Sequence, residues 1–296
     1  MGPFRRFILL FLAFLLTFDA LLVVYTTTTK ATILDPVFLE RELADRSVYP
    51  RIKQQIINEL TPKVPDWLTY ALRDSVTEDW VEEQAHGIIH DLYDYFWSEN
   101  ASLDLRISLV EVKNNIKANI RESPPPEIRD QPSEVVDEFL LDLDTIIDSK
   151  FPDEIELVDF LDEEILTSMR RVKTFFLFVN RAYYLLFIMA AMLMFLIAVT
   201  TRDIRLTLLI FGLSMLVSGG VSYGMSFFLL GQFPVTEIPA PISGEMLGLV
   251  RDVLHVMRDY SIYLSVAGLI LIGMYVIAPA RRKEPPPRPG RVKSLS

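Results

Sequence analysis

The stretch DFLDEEILTSMRRVKTFFLFVNRAYYLLFIMAAMLMFLIAVTT, residues 159–201, carries four carboxylates in its first six positions and none after Glu164. It contains neither proline nor glycine, the residues that break or loosen a helix. It therefore predicts one unbroken helix from about Asp159 that leaves a charged domain and enters hydrocarbon, coupling the two rigidly.

Working outward, three further apolar runs accompany Phe175 to Thr200: Phe7 to Tyr25, Leu206 to Leu230, and Ile262 to Ala278. Each reaches or approaches the ~20 residues that a membrane helix needs, the last once Tyr260 and Ser261 are included. Half of the 296 residues are hydrophobic, and these runs concentrate them. The first run follows Arg5 and Arg6 and is longer than the ~7–15 apolar residues of a secretory signal, so it reads as an uncleaved signal anchor. With no cysteine, neither a disulfide framework nor a thiolate metal site is available.

Charge divides the chain into two electrostatic objects. Residues 26–172 hold 15 Lys plus Arg against 32 Asp plus Glu, whereas the remainder is net positive. The basic residues outside this segment cluster at Arg5 and Arg6, at Arg202 and Arg205, and in the tail from Arg281 to Lys293. Placing all three clusters in the cytoplasm satisfies the positive-inside rule with four crossings. Arg170, Arg171 and Lys173 then fall on the outer side, against the trend, but long domains translocate largely regardless of charge.

The expected architecture is an all-α polytopic membrane protein with an acidic helical domain inserted between the first and second spans. Its parts are a cytoplasmic N-terminus and first span (1–25), an extracytoplasmic acidic helical domain (26–172), a hairpin of spans two and three (173–230), an outer Pro-rich loop with an amphipathic helix (231–260), the fourth span (261–279), and a basic disordered cytoplasmic tail (280–296). The expected location is the plasma (cytoplasmic) membrane, multi-pass, with both termini inside.

Local signals fill in the domain. Asp35 before Pro36 predicts a helix start through ILDPVFLEREL, and Thr77 before Glu78 and Asp79 predicts another. TTTTK, residues 26–30, reads as a short polar exit from the first span. SLDLRISLVEV alternates, suggesting a short strand before a helix through KNNIKANIRES, and SEVVDEFLLDLDTIIDS draws one apolar stripe.

Several residues invite a functional reading. Asp19 interrupts FLLTFDALLVV, residues 14–24, and an unpaired carboxylate in lipid is expensive. Counted from Tyr25 it lies roughly 9 Å deep, and Arg181, counted from Thr174, roughly 10 Å deep. The two are expected to form an intramembrane ion pair, as a structural clamp, with Asn180 or Tyr183 adding hydrogen bonds. In the third span Ser214, Ser218, Ser222 and Ser226 recur every four residues, and Gly220 and Gly224 make a GxxxG; both patterns predict close helix packing. Ser261, Ser265 and Gly273 do the same in the fourth span.

In EEQAHGIIHD, His86 and His90 share a helical face with Glu83 and Asp94, residue types that zinc or iron accepts. The face lacks the adjacent glutamate of the zincin signature and the second Glu-x-x-His of a di-iron bundle, so no metal and no cofactor is expected. The acid runs DLDTIID and DEIELVDFLDEE lack the glycine and spacing of a calcium loop and read as solvated faces. NAS at Asn100 to Ser102 is a glycosylation sequon.

No phosphate-binding loop, nucleophile triad or nucleotide fingerprint is present, so the chain is read as a non-enzyme. The function expected is that of an extracytoplasmic interaction, sensor or scaffold protein, with membrane lipids as neighbours and a protein partner or cations at the acidic domain. That domain repels nucleic acid. The alternative is a small transporter or channel subunit using Asp19 and the serine stripe.

Overall fold

A computed structural model describes residues 2–232 and 243–277. The chain is all-α apart from two three-residue strands. In chain order the elements are α1 (Pro3–Ala31), α2 (Pro36–Asp45), α3 (Val48–Leu60), a 3-10 turn (Thr61–Lys63), α4 (Asp66–Ser75), α5 (Glu78–Trp97), β1 (Arg106–Ser108), α6 (Val110–Glu122), α7 (Pro126–Arg129) and α8 (Ser133–Lys150). There follow β2 (Glu154–Glu156), a second 3-10 turn (Leu157–Phe160), α9 (Glu163–Thr201), α10 (Ile204–Gln232) and α11 (Ser243–Ile277). Four helices, α1, α9, α10 and α11, are long and apolar enough to cross a membrane.

The residues form two compact units. The first draws on Met1–Val24, Leu186–Gly231 and Met257–Ser296, the second on Tyr25–Leu185 and Gln232–Val256.

In the first unit, Leu9 and Leu16 of α1 bury against Leu193 and Ile197 of α9, with Ile210 and Phe211 of α10 alongside. Arg5 donates to the last carbonyls of α9, Thr200 at 2.7 Å and Thr201 at 2.9 Å, where helix acceptors are otherwise unsatisfied. The turn between α9 and α10 is only Arg202 and Asp203. Arg202 is left-handed (φ 50°) and Asp203 caps α10 through the Arg205 amide.

The second unit has two apolar cores. One joins α4, α6 and α8 through Leu68, Leu72, Ile116, Ile120, Leu143 and Ile147, all essentially inaccessible. The other gathers Leu34, Tyr93, Phe96, Phe176 and Val179 around a nest of tilted and edge-on rings. The alternating segment does form a strand, and β1 pairs antiparallel with β2, Ile107 opposite Ile155. That partner lies inside an acid run read from the sequence as a solvated face.

Two predicted boundaries are corrected. TTTTK does not break the helix: α1 continues through it to Ala31, and the Thr29 hydroxyl bonds back to the Tyr25 carbonyl one turn earlier. The amphipathic helix expected before the fourth span is not separate either, since α11 runs unbroken from Ser243 to Ile277. Its early turns belong to the second unit, where Arg46 bridges Glu42 of α2 (2.7 Å) and Asp252 of α11 (2.5 Å). Gly248 leaves the room for that guanidinium, since a Cβ there would meet Arg46. The Pro-rich loop and the basic tail expected at 231–242 and 280–296 lie almost wholly outside the described residues.

Candidate functional site

In the first unit, Leu9, Leu12, Leu16 and Asp19 follow one another at spacings of three and four, which puts them on one face of α1. Asp19 is fully buried, and neither carboxylate oxygen has a hydrogen-bond partner. The expected pair with Arg181 is not formed. The Arg181 guanidinium is exposed and binds Glu99 instead. α1 stops at Ala31, not Tyr25, so Asp19 lies about 18 Å from the end of its helix by rise.

The groups meant to support Asp19 serve another residue, in the second unit. Asn180 accepts from the Lys30 ammonium at 3.2 Å, and that ammonium lies 4.5 Å from the ring centre of Tyr183 and 4.9 Å from that of Tyr184. Such cation–π contacts are favourable where water is scarce.

The serine stripe packs. Ser214 donates to the Ala13 carbonyl (3.3 Å) and Ser218 to that of Thr17 (2.6 Å), which sets α1 and α10 in parallel register. Ser226 bonds back to the Tyr223 carbonyl. Ser222 is buried with no hydrogen-bond partner, one step further along the register.

Gly220 and Gly224 do not pack: both are exposed, and a Cβ on either meets nothing. Close approach falls instead to Gly212 and Gly219, where a Cβ would lie 2.7 Å from the Gly268 carbonyl oxygen and 2.6 Å from that of Ser261. Ser261 is buried and Ser265 bonds to its carbonyl, but Gly273 faces open space like Gly220.

In the second unit, the histidine face of α5 is dispersed. Among the described residues no three His, Cys, Asp or Glu groups converge as a metal would require. His86 lies 3.9 Å from Glu82 and edge-on to Tyr49, while Glu83 and Asp94 are exposed. His90 Nε2 lies 3.2 Å from Glu40 Oε1, an oxygen without a hydrogen-bond partner among the described residues. Nearby, Tyr93 donates to the Ile33 carbonyl at 2.8 Å, and burial, with the carboxylates of Asp35 and Glu40 adding to it, pushes its phenol up to about 12. Asn100 is exposed in the turn after α5.

The acid run DLDTIID is engaged, not merely solvated. Lys113 of α6 is buried and held by Asp148 (2.8 Å) and Asp153 (2.5 Å); Lys117 reaches Asp148 (2.9 Å) and Arg121 reaches Asp144 (2.8 Å). Hydrogen bonds from Lys113 and Lys117 hold the Asp148 carboxyl below its ordinary range, and those to Asp148 and Asp153 raise Lys113.

Next to this ladder lies a feature that no sequence motif announces, a cavity of about 370 Å³. Its walls include Leu68 and Leu72 of α4, Val76 just after that helix, Trp80 of α5, Val112 of α6 and Phe151 after α8. Among the described residues, ionic groups reach it at Glu59, Lys113 and Lys150. The volume lies in the range of pockets that hold small organic ligands. Residues of α3, α4, α5, β1, α6, α8 and β2 build it, so the single residues carry no local signature. The i, i+4 carboxylates Asp144 and Asp148 facing the i, i+4 cations Lys113 and Lys117 were the one readable hint.

Compared with known proteins, the chain matches no family model, no curated protein and no solved structure.

Proposed function

We propose that the protein is a non-enzymatic interaction, sensor or scaffold protein of the plasma (cytoplasmic) membrane, held by four spans with both termini cytoplasmic. Its acidic helical domain, residues 26–172, faces outward and engages a protein partner, cations or a small ligand. The observation that carries this reading is that α1, α9 and α11 each contribute to both units without a break at Val24, Leu185 or Val256. A domain merely tethered to an anchor needs a flexible connection, whereas continuous helices transmit a shift along their length. The clusters at Arg5 and Arg6 and at Arg202 and Arg205 support the orientation.

A second reading, a small transporter or channel subunit, is favoured by the unpartnered carboxylate of Asp19 and hydroxyl of Ser222 in the first unit. Against it, Ser214 and Ser218 spend their hydroxyls on the backbone of α1.

The two separate experimentally. A photo-crosslinker at Leu141 or Phe160, both highly exposed on the second unit, is expected to give discrete adducts in native membranes. Reconstituted protein is expected to pass no protons or alkali cations. Flux that disappears in Asp19→Asn, with no adduct at either position, would replace the first reading by the second.

A further inference from the structure

The geometry points to the cavity between α4, α6 and the end of α8 as a binding site for a single acyl chain with a carboxylate head, a fatty-acid-type anion. This inference rests on the reading of the helical domain as a sensor or interaction module, which it deepens by naming a ligand class. The walls are almost entirely aliphatic and aromatic, and Leu68, Leu72 and Val76 are essentially inaccessible from outside. An apolar chain gains from such a space, and water, finding no partners, does not.

The head group follows from which charges are already committed. Of the three ionic side chains that line the cavity among the described residues, Lys113 is neutralised twice, by Asp148 and Asp153. Glu59 accepts from Gln55 of its own helix at 3.4 Å and carries the wrong sign for an anion. Lys150, exposed and without an ion pair among the described residues, is the cation left to receive a carboxylate. Among carboxylates the strongly acidic surface of this domain disfavours highly charged ligands, so one charge on a long apolar body suits both surface and interior.

Trp80 is part of the wall, and its indole donates to the Ser108 carbonyl at 3.2 Å, which fixes a fluorophore beside the site. The test uses the full-length protein in nanodiscs with Trp67→Phe and Trp97→Phe, leaving Trp80 as sole reporter, titrated with brominated laurate. Saturable quenching is expected, with affinity rising about fourfold per added methylene across octanoate, decanoate and laurate. Lys150→Gln should weaken laurate about fivefold, and Glu59→Gln should tighten it. Laurate methyl ester should be indifferent to both changes. Val64→Phe, at the partly exposed lip, should block quenching.

Quenching that never saturates, or that both charge variants leave unchanged, overturns the assignment; weakening by both variants would mean a zwitterionic head and overturns it too. Native mass spectrometry of the wild-type chain with laurate supplies a count of bound ligand independent of the tryptophan changes, and a count of zero has the same force. Crosslinks at Leu141 and Phe160 do not depend on this cavity, so absence of laurate binding leaves the partner reading standing, and absence of adducts leaves the cavity reading standing.

Discussion

Asp19 concentrates the energetic tension of the molecule in one side chain. A buried carboxylate with no partner forgoes hydrogen bonds that water would supply. Replacing it by an apolar residue of similar reach should therefore help the helices pack. Asp19→Leu is expected to stabilise the reconstituted protein by about 1–3 kcal/mol, measured by steric trapping in bicelles. Arg181→Gln should act independently of it, the double variant summing the singles within about 0.5 kcal/mol; destabilisation by Asp19→Leu would reveal a partner for the carboxylate. Tyr93 makes a residue-scale prediction in pH. Its phenol is raised to about 12, above the ordinary value near 10, so burial of the neutral form contributes stability fully below about pH 10 and loses it as pH rises through about 12. In a spectrophotometric titration, the difference between wild type and Tyr93→Phe should show one tyrosine ionising near pH 12. Ionisation of that difference near pH 10 would contradict its burial. Residues whose roles are set within one turn were legible from sequence: Asp35 accepts from Val37 and Thr77 from Trp80, as their caps predict. Asp19 was not, because its distance from the helix end depends on where α1 stops, and the threonine run that looks like a polar exit is helical throughout.

At the scale of elements, the third span shows why a motif does not choose its own face. Gly220 and Gly224 match the GxxxG pattern, yet the partner helix approaches at Gly212 and Gly219, seven residues apart, opposite Gly268 and Ser261. These distances put the contact on backbone oxygens, which cannot move aside as a side chain tip can. Gly212→Ala and Gly219→Ala are each expected to cost about 1–3 kcal/mol. Gly220→Ala and Gly224→Ala should be neutral or slightly favourable, since a helical glycine gains from a methyl group that meets nothing. Thermal unfolding of the four variants in one nanodisc preparation makes the comparison; equal loss in both pairs would refute the packing described. Element type was readable because the periodicity of the apolar runs is long and strong. Which helices touch was not, since register is a property of two chains of atoms rather than one, and the same holds for the pairing of β1 with β2 across 46 residues of sequence.

For the whole molecule, segregation of charge from apolar surface is the organising fact. Hydrocarbon-length helices leave the net −17 segment no place in the bilayer, and the positive clusters argue for which side it occupies. The number of candidate spans was legible from composition alone. The cavity in the helical unit was not, because it forms where α3, α4, α5, α6, the end of α8 and the two short strands come together. The absence of cysteine makes the central claim directly measurable, since any introduced thiol is the sole target of a maleimide. Intact cells carrying Ser149→Cys, Ser218→Cys or Ser296→Cys are treated with a membrane-impermeant maleimide before and after permeabilisation. Position 149 should label in intact cells, position 296 only after permeabilisation, and position 218 in neither case; labelling of 296 in intact cells with 149 protected would contradict the account.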